Sequence, residues 1–248
     1  MDAYRALRGP DPGCTTWSFL AEIYKVGQPP IDLSKPSVDE LHERDQLLFF
    51  PDRAIRDIFR PKGDIRPVRK ILECPCKTCK RGGDRNSAEL EALATEIEQK
   101  STIILAVLIY IGHGYLIRHF GSRDRIKDGP PDSVTSYLTS DKNLVKSIQI
   151  LGEDDVGAFC KLYDSAVNLF KPPEFSIGGP TKPYDLAYRM PFTEDLFHAR
   201  GASGKVHKFN IHEDYLHQDI KDADWYCTGN QARPNLTTVH ESIWQGIG

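Results

Sequence analysis

A mainly α fold, with a helical amino-terminal domain followed by a single β-hairpin, is predicted by three observations. Apolar residues recur at helical spacing through much of residues 15 to 170. A stretch rich in proline and glycine then interrupts the pattern, and beyond it two short strand-like segments flank a glycine-bearing turn.

The elements follow in chain order. In Thr15 to Val26, Trp17, Leu20, Ala21 and Tyr24 share one helical face, and Gly27 with Pro29-Pro30 ends the run. A polar linker leads to the apolar LLFF, after which Pro51 opens a second helix carrying Ala54, Ile55 and Ile58. Gly63 to Leu72 reads as a short helix that delivers the chain into a cysteine cluster. AELEALATEIEQK is made of strong helix formers, with Asn86 or Ser87 as its cap, and it precedes or runs into a nearly all-apolar helix from Ile103 to Ile117. A further helix is expected from Asp154 to Phe170, after the break at Gly129-Pro130-Pro131.

Residues 1–170 are therefore read as the helical domain and 171–189 as a Pro/Gly-rich linker. Residues 190–218 are read as a hairpin, with strands Met190 to His198 and Lys205 to Ile211, and 219–248 as an irregular tail.

Composition narrows the function. Of 248 residues, 40% are hydrophobic and 27% charged, with a net charge of -3; this describes an ordinary folded chain and gives nucleic acid no basic surface. The start MDAYRALRGPDPG has no basic segment followed by an apolar run, so an intracellular site, cytoplasmic or nuclear, is expected. Six cysteines in that setting are expected to stay reduced, and the sequon at Asn235 to go unglycosylated. The Ile103 segment is shorter than the roughly 20 residues a bilayer requires and contains His113, so a core helix and no membrane contact is the expectation.

Two motifs carry chemistry. In ARGASGKVHKFNI, Gly201, Gly204 and Val206 have the spacing of a kinase glycine-rich loop, with Ala199 in place of the first glycine. Small residues at a hairpin tip let backbone amides close over phosphates, although an ordinary turn also accounts for two glycines.

The longer stretch PEFSIGGPTKPYDLAYRMPFTEDLFHARGASGKVHKFNIHEDYL resembles the entry to the kinase domain of a fungal protein-kinase-like family, with Pro191-Phe192 before the first strand and Ile211-His212 after the second. LLFFPDRAIRDIF, ILAVLIYIG and LVKSIQILGEDD also look like the pre-kinase part of that family, so the resemblance covers about residues 38 to 217. It implies ATP and magnesium as cofactors, phosphate contacts from Gly201, Ala202, Ser203 and Gly204, and a base contact from Val206.

The residues that would make such a protein catalytic are not in the sequence. Lys221 sits in QDIKDAD without apolar flanks, and neither His-Arg-Asp nor Asp-Phe-Gly occurs. The chain is therefore expected to be a truncated kinase-like protein with a degenerate nucleotide loop and no phosphoryl transfer of its own. The alternative is a non-enzymatic helical module that binds a protein partner, with the cysteine loop on its surface.

The second motif is Cys74-Pro75-Cys76-Lys77-Thr78-Cys79. Three thiolates this close fit one tetrahedral zinc, and adjacent lysines favour the thiolate form. A closed site needs a fourth ligand; Cys14, Cys160, His42 or water would have to serve, and free reduced thiols in a loop are the other reading.

His113 and His119 are read as core or helix-end residues, His207, His212 and His217 as hairpin side chains, and Glu153 to Asp155 as a helix-start charge cluster. No Gly-x-Ser-x-Gly, His-Glu-x-x-His or dinucleotide fingerprint is present.

Overall fold

The computed structural model describes residues 13–28, 48–80, 86–120, 156–176, 189–200 and 205–222. Among them the fold is mainly helical. The elements are α1 (Thr15–Val26), α2 (Asp52–Phe59), α3 (Pro67–Leu72), α4 (Lys77–Lys80), α5 (Ser87–Lys100), α6 (Thr102–Tyr110), α7 (Ile117–Phe120), α8 (Val156–Phe170), β1 (Phe192–Arg200), β2 (Lys205–Ile211) and α9 (Gln218–Asp222). Helix α9 puts regular structure at the start of the segment expected to be irregular.

The centre of the core is α6, whose residues Thr102 to Ile109 are all buried. Helices α1, α2, α5 and α8 pack around it, which is how a helix apolar on every face hides itself from water. An aromatic group seals one end: Phe50 stacks on Phe170 with ring centroids 4.4 Å apart, and Tyr110 meets both edge-on.

The apolar helix is shorter than Ile103 to Ile117. Gly112 takes φ 82, a left-handed conformation that costs glycine little. The amides of His113 and Gly112 then turn back to the carbonyls of Leu108 and Ile109, the paired bonds of a Schellman end. The chain continues as a 3-10 turn, Gly114–Leu116, into α7. No helix among the described residues is long and apolar enough to cross a membrane.

Helix α5 starts where a cap was expected, the Asn86 side chain accepting from Glu89 N at 2.9 Å, and it breaks from α6 at Ser101. It is joined to α3 by two arginines. Arg66 pairs with Glu91 and Glu98, and Arg69 bridges Glu91, Glu73 and the Ser87 hydroxyl. Helix α3 itself begins at Pro67, four residues after Gly63, because proline at the first helical position fixes the start.

Strands β1 and β2 pair antiparallel, with Phe192 opposite Ile211 and Arg200 opposite Lys205, and irregularities at Phe192/Glu194 and Phe197/Ala199. The chain after β2 returns to the helices. Phe175 N donates to Tyr215 O at 2.7 Å and His217 N to Phe175 O at 2.8 Å, while the Tyr215 and His212 rings meet Phe49 edge-on.

Candidate metal centre

Cys14 is the cap residue before α1, α3 ends at Leu72, and Cys74, Cys76 and Cys79 lie in the tight passage from α3 into and along α4. Packing of α1 against α3, and of α4 against the 3-10 turn after α6, closes this corner. The sulfurs of Cys14, Cys74, Cys76 and Cys79 all lie within 4.8 Å of one another, and all four residues are buried. The cysteine side chains are thus interior, while Glu73, Pro75 and Lys77 between and beside them are exposed, so the segment lies at the surface, as one reading of the sequence expected, with its thiols turned inward.

The spacing fits a single ion. A zinc–sulfur bond of about 2.3 Å in a tetrahedron sets sulfur–sulfur edges of about 3.8 Å. Cys14 Sγ lies 3.7 Å from Cys74 Sγ and 3.5 Å from Cys79 Sγ. No disulfide joins them; each is a free cysteine.

Backbone amides are turned toward the sulfurs. Thr15 N donates to Cys74 Sγ at 3.4 Å and Cys79 N donates to Cys76 Sγ at 3.3 Å. Such donors stabilise negative charge on sulfur, as they do for any buried anion.

The acidities divide accordingly. Burial raises the Cys74 thiol, but amide donation from Cys76 and hydrogen bonds from Thr15 and Cys14 more than reverse this and draw it down to about 6. Burial pushes the Cys14 and Cys79 thiols above their ordinary range. A cation bound among the four sulfurs would stabilise the thiolate form of each.

One buried cation lies at the edge of this corner: Arg118 on α7 donates to the carbonyl of Leu72, two residues before Cys74. Four thiolates around a divalent ion carry a net charge of about -2, and nearby positive charge and amide dipoles oppose the cost of burying it.

Of the fourth ligands open in the sequence, the fold selects Cys14. Cys160 is buried on α8 and is not one of the converging residues, and His42 lies outside the described residues. The signal for Cys14 was one of position only, a cysteine in front of a helix 60 residues from its partner.

The other motif is reached only in part. Gly201, Ala202, Ser203 and Gly204 lie outside the described residues, while Val206 stands in β2 opposite Ala199. His113 packs its ring against Phe159 and Tyr115. His212 and His217 accept from the amides two residues on, Asp214 N and Asp219 N, and so serve local turns.

A cleft beside α2, lined by Val26, Pro51, Arg53, Asp57, His212 and Asp214 among others, mixes polar and apolar side chains and is open to solvent. Comparison with known proteins adds no assignment: no family model, curated protein or solved structure matches the chain.

Proposed function

We propose that this chain is a non-enzymatic helical module whose α1–α3–α4 corner is held by one structural zinc ion on Cys14, Cys74, Cys76 and Cys79. The observation that carries the reading is the convergence of four buried sulfurs from two segments 60 residues apart. An all-sulfur, tetrahedral set suits a soft or borderline ion and selects zinc over magnesium or calcium. Four protein ligands leave no position for water or substrate, which is the arrangement of structural and not catalytic zinc. The zinc acts by joining the amino-terminal helix to the core that a partner protein would meet as one rigid body.

Elemental analysis of the purified protein tests this directly. One equivalent of zinc per chain is expected, with cobalt substitution giving the intense visible bands of a tetrahedral thiolate site. Less than about 0.2 equivalents, with no cobalt uptake by the reduced protein, would remove the reading, since structural zinc binds tightly at neutral pH.

A second reading is favoured by one feature, the antiparallel pairing of β1 with β2 where the kinase-like resemblance puts its first two strands. In it the hairpin is a degenerate nucleotide loop that retains ATP affinity without catalysis. Magnesium-ATP at millimolar concentration should then raise the thermal midpoint, because ligand at 100 times its dissociation constant adds about 2.7 kcal/mol. An unchanged midpoint dismisses it and leaves the zinc reading intact.

A further inference from the structure

We propose that the metal centre is also the amino-terminal cap of α1, so that ion binding and ordering of the first turns of this helix are one event; the proposal rests on the zinc reading of the same four thiols. Cys14 occupies the cap position in an extended conformation, φ -74 and ψ 129, yet its side chain makes no cap hydrogen bond and no acidic residue stands in the first turn. A helix start normally satisfies its free amides with a Ser, Thr, Asp or Asn side chain. Here the sulfur of Cys14 turns instead toward Cys74 and Cys79, and the first helical amide, Thr15 N, donates to Cys74 Sγ at 3.4 Å. The cap is therefore borrowed from the cluster.

With a divalent ion bound, the positive end of the α1 dipole faces a group of net negative charge, an arrangement that stabilises both. Without the ion, the cluster-side ties of the helix start are the Thr15 N to Cys74 Sγ hydrogen bond and the contact of Cys14 Sγ with Thr16 Oγ1 at 2.9 Å, both weak sulfur contacts. The far end of α1 is fixed by other means: Leu20, Ile23 and Tyr24 are buried in the core, and Gln28 bridges Phe49 in both directions at 2.8 and 3.0 Å.

The ligand distribution localises the effect. Cys74, Cys76 and Cys79 are neighbours in sequence and stay together whether or not an ion is present, whereas Cys14 is tied to them by the ion across 60 residues. Ion release therefore frees the first turns of α1 and leaves its second half and α6 in place. Metal supply, or any strong chelator in the surroundings, thereby sets whether the amino terminus is docked.

Amide hydrogen exchange on the full chain, with zinc and after chelation, tests the coupling. Amides of residues 15–20 should lose nearly all protection in the zinc-free protein, while those of residues 103–109, though faster because global stability falls, stay protected by about a hundredfold or more. Zinc content is measured on the same samples. Stoichiometric zinc without local loss of protection overturns the cap and spares the zinc reading, absence of zinc overturns both, and loss of protection in α6 as complete as in α1 overturns the local latch.

Two variants separate capping from ligation. Cys14→Ala, with zinc present, should exchange at residues 15–20 like the zinc-free protein. Cys14→Ser restores a capping oxygen but not the fourth sulfur. Its exchange there should return to within about threefold of the parent, while its cobalt spectrum stays that of a three-sulfur site. Equal loss of protection in both variants would show that the helix start does not depend on a cap.

Discussion

Two regions of this molecule each tie a distant segment to the helical core, and they do so with opposite chemistry. At one, Cys14 meets Cys74, Cys76 and Cys79 through buried sulfur atoms spaced so that they could hold a cation. At the other, Tyr215 reaches back to the start of α2, its hydroxyl donating to Phe50 O at 3.1 Å and accepting from Asp52 N at 3.2 Å, with its ring against Phe49. The second tie is built from neutral hydrogen bonds and aromatic packing, complete in the chain itself. On the proposed zinc reading the first is conditional on a bound ion, and the second is permanent.

The largest expected effect breaks the conditional tie. An ion that binds only the folded chain adds about 4 kcal/mol at 1,000 times its dissociation constant, a large share of the about 5–15 kcal/mol of a typical domain. Chelation of the zinc-loaded protein, or Cys74→Ala combined with Cys79→Ala, should lower the thermal midpoint by about 10 °C or more, at roughly 2–4 °C per kcal/mol for a chain of this size. Thermal unfolding with and without chelator measures it. Chelation that leaves the parent's midpoint unmoved would reduce the four thiols to ordinary core residues.

A smaller effect breaks the permanent tie. Tyr215→Phe keeps the ring and removes the hydroxyl, leaving Phe50 O and Asp52 N without that partner at a buried position, a loss of about 1–3 kcal/mol by denaturant unfolding. Because the two ties share no residues, the Tyr215 loss should be the same with zinc and without it, within about 0.5 kcal/mol. A Tyr215→Phe effect that vanished on chelation would show that the two regions act as one.

The same contrast governs what could be read from the sequence. Helix α1 was legible to the residue, Thr15–Val26, because its apolar spacing and Gly27 are local signals. The Asn86 cap, one of two positions the sequence offered, is of the same kind, whereas the helix read from Gly63 begins only at Pro67. The extent of α6 was misjudged, since His113 alone interrupts the run IILAVLIYIGHGYLI; the left-handed Gly112 ends it, and a glycine inside an apolar run carries no mark of its φ.

Three ligands were legible as C-x-C-x-x-C, while Cys14 could only be one of several open choices until packing of α1 on α3 selected it. That the cysteines are interior was likewise not legible, because Lys77, Lys80 and Arg81 give the segment the composition of a surface loop. The return of Tyr215 to α2, across 165 residues from Phe50, left no periodic trace at all.

The arginine contacts between α3 and α5 sharpen the comparison from a neighbouring position. Arg66, with 23% of its side chain exposed, meets Glu91 and Glu98 and also the Thr95 hydroxyl at 3.1 Å, and so fixes the helix from which the three clustered cysteines hang. Arg66→Ala should cost about 1 kcal/mol by denaturant unfolding, a partly screened network being worth little more than an exposed pair. In the zinc-free protein the cost should be unchanged, because α3 is held by α5 and not by the ion.

The smallest effect sharpens the contrast between borrowed and intrinsic caps. Helix α5 carries its own, with Asn86 accepting from Glu89 N, where α1 has none. Asn86→Ala should cost about 1 kcal/mol, lowering the thermal midpoint by roughly 2–4 °C, and by the same amount whether zinc is present or removed. Cys14→Ala should cost far more with zinc than without it. An Asn86→Ala loss that depended on zinc would mean that the ion orders α5 as well, and the conditional region would then extend well past the corner that holds the four sulfurs.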